Sequence, residues 1–161
     1  TADPSNLFFV VYDLSQQAYL GVLSYLRIAP AAGSIEVGNI NFSPAMQRSP
    51  VSTEAIYLTM QWAFDAGYRR FEWKCNALNT PSRRAAQRLG FSYEGVFRQA
   101  MVVKGRNRDT AWFAMIDQEW PALKEAYRVW LDPNNFDQDG RQHERLGDLT
   151  GLVRVSSDPT L

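Results

Sequence analysis

Apolar and polar positions along this chain fall into short blocks, and the period of each block predicts its structure. Residues 7–13 (LFFVVYD) are an unbroken apolar run rich in aromatic and β-branched types, which predicts a buried strand. A Ser15-Gln16-Gln17 turn leads to residues 19–28 (YLGVLSYLRI), the returning strand of a hairpin. Ser34–Phe42 alternates Ile35, Val37, Ile40 and Phe42 around Gly38. It predicts a third strand with an irregularity at the glycine. A two-proline loop follows, and then the period changes. Ile56, Met60, Ala63 and Phe64 recur at helical spacing, predicting a helix over residues 53–66, capped by Ser52 or Thr53 and ended by Gly67. Strand, loop, helix and strand in this order make a βαβ unit with parallel strands.

Residues 67–93 (GYRRFEWKCNALNTPSRRAAQRLGFSY) carry the densest signal. Phe71, Trp73 and Cys75 alternate with polar residues as a strand. The strand breaks at Cys75-Asn76, and a short helix follows, with Thr80 as its cap, Pro81 at its first position and Gly90 just past its end. Ala85, Ala86 and Leu89 supply its apolar stripe. Asn79 and Ser82 lie at its start, where backbone amides have no intrahelical partner, a geometry suited to a ligand. A long strand over 91–103, a basic turn over 104–108, a strand over 109–116 and a helix over 118–131 complete the ordered part. The expected organisation is one domain over residues 1–132 and a polar extension over 133–161, loose from Ser156.

Composition narrows the function. With 161 residues, 45% of them hydrophobic, the chain can bury a real core. Lysine plus arginine equals aspartate plus glutamate at 17 each, which argues against a dedicated nucleic-acid binder. One cysteine and one histidine rule out a disulfide framework and a conventional zinc site, so no metal is expected. No apolar run is long enough for a transmembrane helix, and residues 1–6 do not read as a signal peptide. The expected location is cytoplasmic, with no membrane partner. Aromatic-rich helix surfaces are compatible with a homodimer.

Asn79-x-x-Ser82, Arg83-Arg84-Ala85-Ala86, Leu89-Gly90-Phe91 and Tyr93-Glu94-Gly95 together resemble the acceptor-side half of the GNAT acyl-CoA N-acyltransferases. Within that superfamily the pattern is closest to the branch of ribosomal-protein N-terminal acetyltransferases. The resemblance extends from Leu7 to Asp117. It implies an α/β (α+β) fold with a mixed, mostly antiparallel sheet flanked by helices. Relative to that pattern the chain begins after the usual first strand and N-terminal helices. The implied reaction is transfer of an acetyl group from acetyl-CoA, a co-substrate, to a primary amine by direct attack in a ternary complex.

The resemblance also distributes roles. The pyrophosphate site falls on the loop before the first helix, at Gln47, Arg48, Ser49, Val51, Ser52 and Thr53, where a helix dipole favours an anion. Pro50 stands where the family carries glycine, which removes an amide and predicts weaker or altered cofactor binding. Pantetheine is expected along the third strand, near Val37, Gly38 and Asn39, and beside Asn76 on the fourth; a backbone amide in the stretch from Val37 to Asn39 is the expected oxyanion donor. Asn79 and Arg84 are expected to hold cofactor, and Ser82 to lie near the thioester sulfur and protonate the leaving thiolate. A primary amine is largely protonated at neutral pH, so a base is needed; Glu36, preceding Val37-Gly38, is the candidate. Trp73, Tyr93 and Arg98 are candidates for the acceptor pocket. Simpler structural roles stand beside these: Asn79 and Ser82 are also capping types, and Cys75, on an apolar strand face, suits core packing rather than nucleophilic attack. The alternative function is a catalytically degenerate member that binds acyl-CoA or a protein partner without turnover.

Overall fold

In the computed structural model, which describes residues 6–161, the chain forms strands and helices in the order β1 (Leu7–Asp13), β2 (Ala18–Ala29), β3 (Ser34–Phe42), α1 (Pro50–Asp65), β4 (Arg70–Asn76), α2 (Thr80–Arg88), β5 (Ser92–Val103), β6 (Arg106–Ile116), α3 (Trp120–Trp130) and α4 (Leu146–Gly151). The fold is mixed α/β, six-stranded and mostly antiparallel with flanking helices, as expected. It divides into two compact units, the first ending at Phe71 and the second spanning Glu72–Leu161.

The first unit is built on the antiparallel set β1, β2 and β3. Asp13 closes the first turn, its Oδ1 accepting the Ser15 amide at 2.8 Å. Tyr25, Leu23, Ile35 and Val37 supply the buried sheet face, and α1 presents Ile56, Met60 and Ala63 as its buried stripe. Full burial of a side chain such as Ile56 or Met60 is worth roughly 1.5–3 kcal/mol. Tyr25 ties helix to sheet: its hydroxyl donates to the Thr59 carbonyl at 2.6 Å and its ring stacks on Trp62 at 5.3 Å.

Two expectations change here. β1 is not a buried strand: Phe8 is 61% and Val10 64% exposed. It is the outermost strand, hydrogen-bonded to β2. An apolar groove of about 590 Å³, lined by Leu7, Phe9, Tyr12, Leu58 and Trp62 among others, lies beside it. The helix also starts three residues earlier than its apolar period suggests. Ser49 is the cap, in an extended conformation with ψ 161°, and its hydroxyl accepts the Ser52 amide at 3.4 Å. Pro50 then takes the first helical position, where its fixed φ is suitable and the missing N–H would have had no helical partner.

The second unit contains the β5–β6 hairpin, with β4 beside β6, and α2, α3 and α4. Lys104 (φ 50°) and Gly105 (φ 74°) alone make the hairpin turn. Left-handed pairs suit two-residue hairpins, so the basic residues from Arg106 onward belong to β6. Phe71 lies at the end of the first unit; Trp73, Phe91, Phe113, Leu123 and Tyr127 are buried in the second. Tyr127 anchors α3 to the end of α2 by donating to the Leu89 carbonyl at 2.9 Å. α2 stops at Gly90, whose φ of +96° is a left-handed conformation.

A Cβ at Gly90 would lie 2.6 Å from Leu123 Cδ2 and 3.2 Å from Thr150 Cβ. Gly90→Ala is therefore expected to lose about 2–3 kcal/mol, from left-handed strain and overpacking together. The check is a denaturant midpoint; an unchanged midpoint would refute the tight approach of α2, α3 and α4.

The C-terminal segment is the largest departure from expectation. Residues 156–161 do not form a loose tail. The Tyr93 amide donates to the Ser156 carbonyl at 3.3 Å, the Val155 amide donates to Ser92 Oγ at 3.1 Å, and Asp158 is buried against α2. Of its polar side chains Asp158 is buried, while Ser157 and Thr160 stay exposed.

Candidate functional site

In the first unit the candidate residues gather on β3 and on the entry to α1. Glu36 is buried at 3% exposure, and its Oε2 accepts Arg27 Nη1 at 2.7 Å. A bulge makes this pair: the β2–β3 register shifts between Leu26 and Ala29, and Arg27 takes φ 48°. A second irregularity follows on β3, where the register shifts between Val22 and Ser24 and Asn39 takes φ 50°. The expected break at Gly38 is therefore present. Asn39 Nδ2 donates to Ser24 Oγ at 2.9 Å, which in turn donates to the Gly38 carbonyl at 3.3 Å. This lock joins the exposed Asn39 side chain of the bulge to the buried Ser24, and bulges are a device that redirects backbone groups near functional sites. Val37 points into the core.

At the entry to α1, Gln47 and Arg48 are exposed, and Gln47 Nε2 donates to the Phe42 carbonyl at 2.8 Å. Ser49 Oγ is turned back onto the Met46 carbonyl at 2.6 Å and Ser52 Oγ onto the Ser49 carbonyl at 2.8 Å. Thr53 is buried in the first turn. The positive end of the helix dipole, the exposed Arg48 guanidinium and the backbone of the turn are what this entry offers an anion.

In the second unit Asn76, Asn79 and Ser82 share one compact turn. Asn76 Oδ1 accepts the Leu78 amide at 2.9 Å, and the Asn79 amide donates to the Asn76 carbonyl at 2.8 Å. Asn79, not Thr80, caps α2, its Oδ1 accepting the Ser82 amide at 3.2 Å. Ser82 Oγ accepts the Trp73 indole N–H at 3.0 Å. Trp73 is buried with its ring edge-on to Phe91, so its hydrogen-bonding atom is already directed at α2. Burial pushes the Cys75 thiol above its ordinary range, with a weaker opposing pull from Ser82. A protonated, buried thiol suits packing rather than attack. Arg84 and Arg98 are exposed, while Tyr93 is half-buried against Phe113.

Three features were not legible in the motif. Arg83, beside the motif serine, is buried and pairs with Asp158 far along the chain. Arg27 reaches Glu36 only because of the β2 bulge. On the other face of β4, Glu72 and Lys74 pair at 2.6 Å, and Lys74 lies 3.8 Å above the Trp112 ring.

The family model of the acetyltransferase (GNAT) domain matches residues 1–92. The chain belongs to the GNAT acetyltransferase family. A GCN5-related N-acetyltransferase from Brucella melitensis shares 53% identity over 91% of this chain and 67% of its own, with a TM-score of 0.89. A probable GNAT-family acetyltransferase from Chromobacterium violaceum shares 50% identity over 75% of this chain and 61% of its own, with a TM-score of 0.71. The spermidine/spermine N-acetyltransferase SpeG from Vibrio cholerae, at 19% identity and a TM-score of 0.63, shares the fold; it covers 74% of this chain and 69% of its own. No curated protein matches the sequence. This GNAT chain thus spans about two thirds of the length of the solved relatives. Among the described residues no helix is long and apolar enough to cross a membrane, and no group of metal-ligating side chains is present.

Proposed function

We propose that this chain carries an N-acetyltransferase activity that moves an acetyl group from acetyl-CoA to a primary amine by direct attack. The ribosomal-protein N-terminal acetyltransferases are the branch proposed, and the cytoplasm the location. The buried, arginine-held Glu36 carboxylate on the bulged β3 carries this reading, because it is the group able to accept a proton as the amine attacks. Attack forms the C–N bond and a tetrahedral oxyanion; collapse breaks the C–S bond, and the thiolate takes a proton on leaving. Backbone amides around the Gly38–Asn39 bulge are assigned to the oxyanion. The motif resemblance assigns cofactor to Asn79 and leaving-group protonation to Ser82, whose oxygen already accepts the Trp73 indole. The resemblance assigns Gln47, Arg48 and the first turn of α1 to the pyrophosphate, and Arg84 to the cofactor. Trp73, Tyr93 and Arg98 remain assigned to the acceptor side.

The test is a calorimetric titration of acetyl-CoA and desulfo-CoA, followed by thiol release with a panel of amines. Roughly micromolar binding, about −8 kcal/mol, is expected. Pro50 sits where a helix needs no N–H, so Pro50→Gly is expected to loosen binding by no more than about fivefold, the worth of about 1 kcal/mol of backbone entropy. Tighter binding in that variant would instead show that the proline obstructs the phosphate. Absence of binding by the folded protein would refute the proposal. Binding without thiol release from any amine would favour the degenerate alternative.

A further inference from the structure

Arg83 occupies the first turn of α2, next to Ser82, and it is buried. A cation there opposes the helix dipole, whose positive end lies at the same place. The structure supplies a countercharge from the far end of the chain. Asp158, with a side chain at 0% exposure, accepts Arg83 Nε through Oδ2 at 2.7 Å, and Thr160 Oγ1 accepts Arg83 Nη2. The other arm of the guanidinium, Nη1, donates to the Ala77 carbonyl at 3.0 Å. Ala77 lies inside the turn that holds Asn76 and Asn79. Arg83 is thus a strut between the C-terminal segment and this turn.

The segment itself is anchored on both sides of the strut. Ser156 Oγ donates to the Tyr93 carbonyl, the Asp158 amide to Gln87 Oε1, and Arg154 Nη1 to the Gln87 carbonyl at 2.9 Å. Asp158 Oδ1 also accepts the Thr160 hydroxyl at 2.9 Å, which fixes the carboxylate plane. Burial would raise the Asp158 acid range, but the Thr160 amide, Arg83 and the Thr160 hydroxyl together hold it lower. The contacts run without a gap from Asp158 to Arg83, to the Ala77 carbonyl, and to the turn whose Asn79 caps α2 and whose Ser82 receives Trp73.

We infer that Asp158, with Thr160, is a positioning residue: the C-terminal strap sets the placement of Asn79 and Ser82 through Arg83. This inference rests on the acetyl-transfer reading for its effect on turnover, but not for its effect on structure. Two readouts separate these. The first is the indole N–H resonance of Trp73, assigned with Trp73→Phe, which reports the Trp73–Ser82 hydrogen bond without any substrate. The second is kcat and KM for acetyl-CoA and one amine, measured on the folded protein.

Asp158→Asn keeps the shape and removes the charge; Thr160→Val keeps the shape and removes the acceptor, and serves if the first variant folds poorly. Each is expected to displace the Trp73 resonance and to lower kcat at least tenfold, with KM for the amine changed less. Asn135→Ala, which breaks a buried polar contact elsewhere in the same unit, is the control for lost stability alone, and should leave the Trp73 resonance in place. A Trp73 resonance and kcat at wild-type values in both strap variants would overturn the inference. So would an equal displacement in Asn135→Ala. If the wild type shows no turnover, the acetyl-transfer reading fails, and the resonance alone decides whether the strap positions the turn.

Discussion

Asp158→Ala should destabilise the protein by about 3–5 kcal/mol. The truncation leaves the Arg83 guanidinium buried without its carboxylate, and an uncompensated buried charge is among the costliest single defects. For a domain of this length each kcal/mol is worth roughly 2–4 °C, so a melting-temperature loss on the order of 10 °C is expected. The pH dependence follows from the lowered acid range of Asp158 in the folded state. A carboxylate held below its unfolded value of about 3.9 contributes stability that is full above that value and is lost as pH falls through the folded one. The gap between wild type and Asp158→Ala should therefore be constant from neutral pH down to about 4 and shrink below it. A gap of less than about 1 kcal/mol at pH 7 would mean that solvent, not Asp158, balances Arg83.

The same residue shows where sequence reasoning stops. Strand and helix order was legible because each element has its own period: Phe71-x-Trp73-x-Cys75 alternates, and Ile56, Met60 and Ala63 recur at helical spacing. The motif around Asn79 and Ser82 was legible for the same local reason, since it is one turn. Nothing local marks Asp158. Its partner is 75 positions away, and a stretch such as Ser156-Ser157-Asp158-Pro159-Thr160 has the composition of a solvated tail until Arg83 is seen to need a countercharge.

β1 was misjudged for a related reason. An apolar run specifies a strand, but burial depends on what lies against both faces, and Phe8 and Val10 remain exposed. The start of α1 was displaced because three hydroxyl residues, Ser49, Ser52 and Thr53, are all capping types. Backbone conformation decides among them: Ser49 is extended and Pro50 is already helical. Glu36 was legible as a candidate base, but not its partner. Arg27 faces it only because the bulge on β2 places Arg27 in a left-handed conformation.

Replacing Glu36 by glutamine should lower kcat about 10²–10⁴-fold at neutral pH, the usual worth of a positioned base. Glutamine keeps the size of the side chain and an oxygen able to accept Arg27 Nη1, so little stability should be lost, and the melting temperature is the control. The residual rate should stay well above the uncatalysed one, because holding amine and thioester together contributes up to roughly 7–11 kcal/mol independently of the base. The decisive feature is the pH profile. An alkylammonium has a pKa near 10.4, so at pH 7 nearly all of it needs a proton removed, whereas near pH 10 a large fraction is already the free amine. If Glu36 accepts that proton, the deficit of Glu36→Gln is largest at pH 7 and narrows steadily as pH rises. If the carboxylate only braces Arg27 across the β2 bulge, the deficit is the same at every pH and follows the loss in melting temperature. Rates for both proteins from pH 6.5 to 10, with one alkylamine and saturating acetyl-CoA, distinguish a base from a brace.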